Sequence, residues 1–382
     1  MTTAAPSASG PSASAPPTSS TSRTDASSAP LPRGLPRLSV RDLGPNWYAA
    51  VMGTAILATG GSALPLPIPA PVLTAVWALS AALLAVLGAA RTAHWFRHTD
   101  RAREHLLDPA VAPFYGCLAM AELAVGGAAS AVGVPGAVVI DAVLWALGTA
   151  TGVLAATAVP FLMVARHRVE PGTASPVWLL PVVAPMVSAA VGAPLIPHLP
   201  AGQARLAMEL GCLALFGMSL LATLLVLPPV FTSLVHNGPP ATALTPTLFL
   251  VLGPLGQSTT ALGNLADAAP GTFASASVLY GVPVLGFALL WLALAAALVV
   301  RARAQGMRFA MTWWAFTFPI GTCVTGAATL GRHTGLEALG WLAVLLYALL
   351  AVAWLSAAAG TVRGLFSGAL LAAPRTAAAA RS

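Results

Sequence analysis

Glu122 is the one acid that falls deep inside a long apolar stretch of this chain. A carboxyl in hydrocarbon is costly, so the residue type points to a proton site, or to a protonated side chain bonded to a neighbouring helix. The other polar groups inside apolar stretches are neutral: Thr54, Thr59, Ser188, Gln257, Ser258, Thr259, Thr260, Asn264, Thr317, Thr322 and Thr325. Hydroxyls and amides can solvate an anion without a fixed cation, and they can equally bond one helix to the next. Gln257 is the bulkiest of them and follows the Gly253-Pro254 pair, which singles it out for a pathway.

Three further groups of residues lead to less. His94 and His98 are four apart, with His105 nearby, a spacing that can hold a metal. Arg91, Arg97, Arg101 and Arg103 surround them and oppose a cation, so a segment facing lipid headgroups is expected, with no metal and no cofactor. Cys117, Cys212 and Cys323 lie far apart in apolar surroundings and read as packing residues. Asp141, Glu209 and Glu337 stand near predicted helix starts, where compensation of the macrodipole accounts for an acid. The chain has no HExxH, no GxSxG and no clustered acids, so nothing in it builds an enzyme site. Lys is absent altogether, which excludes a P-loop ATPase and any Schiff-base lysine.

The elements that carry these residues follow from composition. Of 382 residues, 57% are hydrophobic and 8% charged, with mean hydropathy +0.83. A soluble chain carries about 25% charged residues, so a packed set of transmembrane helices is the class that fits. Ten apolar segments are each near the ~20 residues that a crossing needs. They run over Trp47–Leu64, Val72–Ala93, Pro113–Val132, Gly136–Val164, Pro176–Pro197, Leu206–Phe231, Pro246–Leu265, Thr272–Val300, Phe309–Leu330 and Gly335–Gly360. Residues 1–44 are rich in Ser, Ala, Pro and Thr and read as a disordered cytoplasmic tail; residues 361–382 read as a second tail.

The arginines test the count. With ten spans, one side receives Arg23, Arg33, Arg37, Arg41, Arg91, Arg97, Arg101, Arg103, Arg166, Arg168, Arg301, Arg303, Arg308, Arg363, Arg375 and Arg381. The other receives only Arg205 and Arg332. That asymmetry predicts a multi-pass protein of the plasma (inner) membrane with both termini cytoplasmic. No arginine falls deep inside a span, Arg91 standing at the very end of the second, so an anion is not expected to meet a buried fixed cation.

A repeat is also visible. Odd-numbered segments open with a small residue and Pro, as at Pro45, Pro113, Pro176 and Pro246, and the ninth opens with Thr312-Trp313-Trp314. Each unit is therefore a helical hairpin, and five of them share one orientation around an axis along the membrane normal. Odd segments carry breakers about two turns in, at Gly53, at Pro181 and Pro185, at Gly253-Pro254 and at Pro319. Freed backbone groups need a protein interior or a wet cavity, so odd helices are expected inside and even helices against lipid.

Four segments carry a likeness to a known family. They are Pro45-Asn46-Trp47-Tyr48-Ala49-Ala50-Val51-Met52-Gly53-Thr54, the stretch from Ser175-Pro176-Val177-Trp178 through Pro185, Leu252-Gly253-Pro254-Leu255-Gly256-Gln257, and Trp313-Trp314-Ala315-Phe316-Thr317-Phe318-Pro319. They resemble the tellurite-resistance/dicarboxylate transporter family, which includes slow anion channels and fungal malate and sulfite transporters. The resemblance spans about residues 45–360 and implies an all-α fold of ten helices, arranged as five hairpins in quasi-fivefold order around a central pore. It also implies a homotrimer with one pore per subunit, and the first-helix motif is most similar to the C4-dicarboxylate branch. By the same resemblance, Phe318 occupies the place of a pore-blocking aromatic, with Phe316 as its rival. Gly53, Thr54, Pro181, Pro185, Pro254, Gln257 and Pro319 are then the expected pore-lining or helix-breaking residues, and Glu122 a possible proton site. The expected function is a transporter or channel for small anions, malate foremost, with sulfite, tellurite, chloride or nitrate as alternatives. Its partners are the anion, the bilayer and copies of itself, with no role for nucleic acid.

Overall fold

The small-residue–Pro openings fold as 3-10 turns. In a computed structural model of the chain, which describes Arg41, residues 43–368 and Leu370, these turns lie at Pro45–Trp47, Ala112–Tyr115, Pro176–Trp178, Thr245–Val251 and Met311–Phe316. Each runs directly into an α-helix: α1 (Tyr48–Ser62), α4 (Gly116–Val132), α6 (Leu179–Gly192), α8 (Leu252–Ala268) and α10 (Thr317–Thr334). Proline suits such an opening because its φ is preset and the first N–H groups of a helix lack intrahelical acceptors. Each of these helices is followed by a longer one: α2 (Ala70–Arg97), α5 (Ala137–Ala165), α7 (Gln203–Asn237), α9 (Pro270–Ala304) and α11 (Glu337–Phe366).

This geometry corrects the expected mid-helix breaks. Pro181, Pro254 and Pro319 are each the third residue of their α-helices, in the first turn. The interruption is thus the junction between 3-10 turn and α-helix, and counting from the opening proline displaced it inward. Gly53 does not interrupt α1 either. A Cβ there would collide with the Thr317 hydroxyl, so the glycine lets α1 approach α10 closely. Pro185 is the one proline within the body of α6.

The two sets of helices differ in burial. Over their most apolar stretches, Pro176–His198 is 89% buried and Ala112–Val132 61%, whereas α2, α5, α7, α9 and α11 are 11–22% buried. The first set also closes on itself: α1 packs on α4, α4 on α6, α6 on α8, α8 on α10 and α10 on α1. The longer helices cover that ring, and indole N–H groups pin several of them to it. Trp77 of α2 donates to the Val125 carbonyl (3.2 Å), Trp145 of α5 to Ser188 (2.9 Å) and Trp291 of α9 to Leu248 (2.9 Å). Trp354 of α11 donates to the Thr54 hydroxyl (3.0 Å).

Among the described residues, seven helices, counted with their 3-10 leads, are long and apolar enough to cross a membrane. The protein is therefore an all-helical multi-pass membrane protein. The connection after α2 holds α3 (Thr99–Leu107), a short helix not foreseen from the sequence. Helix α2 also continues past Ala93, so Arg91 belongs to a helix and not to a loop. It is buried and donates to the Leu43 carbonyl (2.6 Å) and the Tyr115 hydroxyl (3.2 Å). At the other end α11 runs to Phe366, six residues past the expected limit of its span. The tails expected at 1–44 and 361–382 lie, for residues 1–40, 42, 369 and 371–382, outside the described residues.

Candidate functional site: an axial cavity and its apolar floor

The five ring helices run in the same direction, so their C-terminal halves meet around one space and their N-terminal turns around another. The first space is a cavity of about 260 Å³. It is lined by Thr59 and Ser62 of α1, Ser130 of α4, Val187 of α6, Gln257, Thr260 and Asn264 of α8, and Thr325, Thr329 and Arg332 of α10. The second is a void of about 10 Å³ walled by Met52, Met120, Leu179, Leu180, Val183, Leu250 and Pro319. A space that small is at the lower limit for one water, and its walls offer no polar side chain. Phe318, 3% exposed, lines both spaces and divides them.

Phe316 sits elsewhere. It ends the 3-10 turn before α10 and packs edge-on against Phe249 (4.9 Å between centroids) and Trp313 (6.0 Å). Phe318 is the second residue of α10, two positions further on and about 200° around the helix, and faces the axis.

The polar groups divide in the same way. Thr260 and Thr325 share a hydrogen bond of 2.7 Å in the cavity wall, and the Asn264 amide donates to the Ala190 carbonyl (2.9 Å). Gln257 is buried in that wall, and its Oε1 has no hydrogen-bond partner. Thr54 faces outward: its hydroxyl donates to Ala50 and accepts from Trp354. The hydroxyls of Ser188, Ser258, Thr259, Thr317 and Thr322 bond to carbonyls of the preceding turn of chain, which serves their helices and not a ligand.

Glu122 does not reach the cavity. It is half-buried, accepts from the Thr151 hydroxyl of α5 (2.7 Å), and lines a side pocket with Arg91, Tyr48 and Tyr115. Two charged residues that the sequence placed elsewhere do line it. Arg332 stands on the last turn of α10, where it binds Asp267 (3.3 Å), so a half-exposed, paired cation borders the cavity. Asp141, taken as a helix-start acid, is buried in the cavity wall and accepts from Ser130 (2.6 Å). A count of helix turns cannot reveal it, because α5 is an outer helix and only its packing between α4 and α6 brings the carboxyl inside.

His94, His98 and His105 come together, with ring centroids 6.0 Å and 5.6 Å apart, but no group of metal-ligating side chains with the geometry for an ion occurs among the described residues. Cys117, Cys212 and Cys323 are buried and unbridged.

The field along this axis has a definite sign. The positive ends of the five ring-helix dipoles lie on the side of the apolar floor, where they favour negative charge. The C-terminal ends around the cavity carry the opposite sign, which Arg332 offsets. The arrangement can hold a small anion above a dry constriction.

Comparison with known proteins agrees with this geometry. The chain is 26% identical over 333 residues to an uncharacterized transporter of Methanocaldococcus jannaschii, covering 86% of this chain and 95% of that one. It is 24% identical over 335 residues to a second transporter of the same organism, covering 87% and 97%. It is also 31% identical over 205 residues to a sulfite efflux pump of Trichophyton rubrum, covering 50% of this chain and 54% of the pump. Residues 42–362 match the model of the voltage-dependent anion channel family, a family of transporters and channels and not of enzymes, and the chain belongs to that family.

Proposed function

We propose that the protein is a conduit for small anions through the plasma membrane, with ten crossings in five hairpins placed quasi-fivefold around a central pore. The closed ring of α1, α4, α6, α8 and α10 supports the pore. The observation that carries the functional reading is the cavity of about 260 Å³ ending on Phe318, with an apolar floor on its far side. A hydrophobic constriction closes by excluding water, and an ion cannot shed its hydration there until the ring moves. We assign Phe318 as the gate and Gln257 as a cavity ligand.

Two anion classes follow from different observations. The first-helix motif favours C4-dicarboxylates such as malate, and the likeness to a sulfite efflux pump favours sulfite. The homotrimer implied by the resemblance belongs to the same proposal. Purified protein in proteoliposomes should pass labelled malate or sulfite faster than empty vesicles do. Chloride, nitrate and tellurite are run beside them, with and without an imposed pH gradient. A sulfite flux well above the malate flux would assign the protein to the sulfite side. Vesicles no more permeable than empty ones would refute the conduit.

A further inference from the structure

We propose that Asp141 is a proton-binding site of the axial cavity, so that an anion occupies the cavity only together with a proton held at that carboxyl. This rests on the reading of the cavity as an anion pathway.

Asp141 is 1% exposed and lines the cavity from the second turn of α5. Its Oδ2 lies 2.6 Å from the Ser130 hydroxyl, itself part of the cavity wall. Its Oδ1 is buried without a hydrogen-bond partner. That oxygen lies against Gly126 of α4, where a Cβ would come within 3.0 Å of it, so the bare backbone makes room for the carboxyl. No ion pair to Asp141 occurs among the described residues, and Arg332, the cation of the cavity, bonds to Asp267 and Thr329. An ionised carboxyl so placed puts an uncompensated negative charge in the space that the anion must enter. One proton removes the conflict. It neutralises the carboxyl and turns it into a hydrogen-bond donor toward the anion. No covalent bond to carbon or sulfur changes; a proton from the solvent binds a carboxyl oxygen and leaves it again.

The other titratable groups on the elements around Asp141 are placed differently. Asp141 is alone on α5, and α6 carries none. On α4, Glu122 is eight residues from Ser130, about 12 Å along the helix, and Cys117 is further. Tyr115 precedes the start of α4, and His198 is exposed at the end of the 3-10 segment Ala193–His198. At the cavity rim, His333 bonds to Asp267 (2.7 Å) beside Arg332.

The test is anion influx into proteoliposomes of the full chain between pH 5 and 8, with nitrate, chloride, sulfite and malate. For each anion that moves, the slope is compared between variants, so the anion's own titration cancels. Wild-type influx is expected to fall with rising pH, approaching about tenfold per unit, as one bound proton requires. Asp141→Asn should flatten the profile, while Glu122→Gln and His333→Gln keep the wild-type slope. Ser130→Ala, which removes only the hydroxyl on Oδ2, should displace the midpoint. A flat wild-type profile, or a wild-type slope in folded Asp141→Asn, overturns the proposal. If Asp141→Asn does not fold, an unmoved midpoint in Ser130→Ala overturns it. Wild-type vesicles that pass none of the anions refute the pathway itself, a result distinct from flux without pH dependence.

Discussion

A single ring decides the conductance if Phe318 is the gate. It separates about 260 Å³ of partly polar space from about 10 Å³ of dry space, and Phe318→Ala would join the two. Each 1.36 kcal/mol removed from a barrier is tenfold in rate, so an increase in anion flux on the order of tenfold is expected. Phe316→Ala removes contacts to Phe249 and Trp313 and should cost stability, on the order of 3 kcal/mol, without raising flux. The reverse result, flux raised by Phe316→Ala alone, would move the gate. Arg332→Gln should lower influx about threefold at low ionic strength, and the difference should shrink as salt is added. At this scale the sequence is readable only in part. An acid inside an apolar run is conspicuous, which is how Glu122 is found. Which side of α4 it occupies depends on where α2 and α5 pack, and that sends it to a side pocket with Arg91. Asp141 and Arg332 are invisible for the opposite reason: each lies near a helix end, where an ordinary explanation suffices until tertiary packing turns the side chain inward.

At the scale of the element, the ring is held by close backbone approaches that small residues permit, the usual means of association where lipid gives no hydrophobic drive. A Cβ on Gly256 of α8 would come within 2.5 Å of the backbone of Thr322 and Cys323 on α10. Neither helix can yield there without moving its whole axis. Gly256→Ala is therefore expected to cost about 1–3 kcal/mol and to lower the melting temperature of the detergent-solubilised protein. Trp291→Phe keeps the ring but loses the bond to Leu248, and should cost about 0.6 kcal/mol. A melting temperature unchanged by Gly256→Ala would mean that α8 and α10 are not tightly apposed. The helices themselves were legible: each of the ten apolar segments coincides with an α-helix, because residues in hydrocarbon must satisfy their backbone bonds within the segment, and seven of these, counted with their 3-10 leads, are long and apolar enough to cross a membrane. Their openings were not. A small residue, a proline and an aromatic signal a start, but whether the first turn is 3-10 or α depends on the neighbouring turns it packs against. That difference shifted the apparent break in α6, α8 and α10 by about a turn.

For the whole molecule, length and hydropathy alone do not settle how many helices cross. Helix α1 has 15 residues, about 22 Å, short of the ~30 Å of hydrocarbon, and α8 and α10 are short and rich in Gly and Thr. Such helices can still cross, because the longer outer helices separate them from lipid and no apolar face is demanded of them. Direction then follows from the chain. Tight connections, among them Ala269 alone between α8 and α9 and a left-handed Gly335 (φ 68°) after α10, lie on the cavity side. The connections after α2, α5, α7 and α9 lie on the side of the apolar floor, and carry Arg101, Arg103, Arg166, Arg168 and Arg308, with Arg97 at the end of α2 beside them. By the positive-inside rule the proposal sets that floor toward the cytoplasm and the cavity toward the outside. Reporters fused after His236, at the end of α7, and after Arg363, near the end of α11, should both report the cytoplasm. One fused after Asp267, at the end of α8, should report the outside. An external signal from the His236 fusion would break the alternation at its sixth crossing. The arginine asymmetry would then be accidental, and the gate would face the opposite compartment.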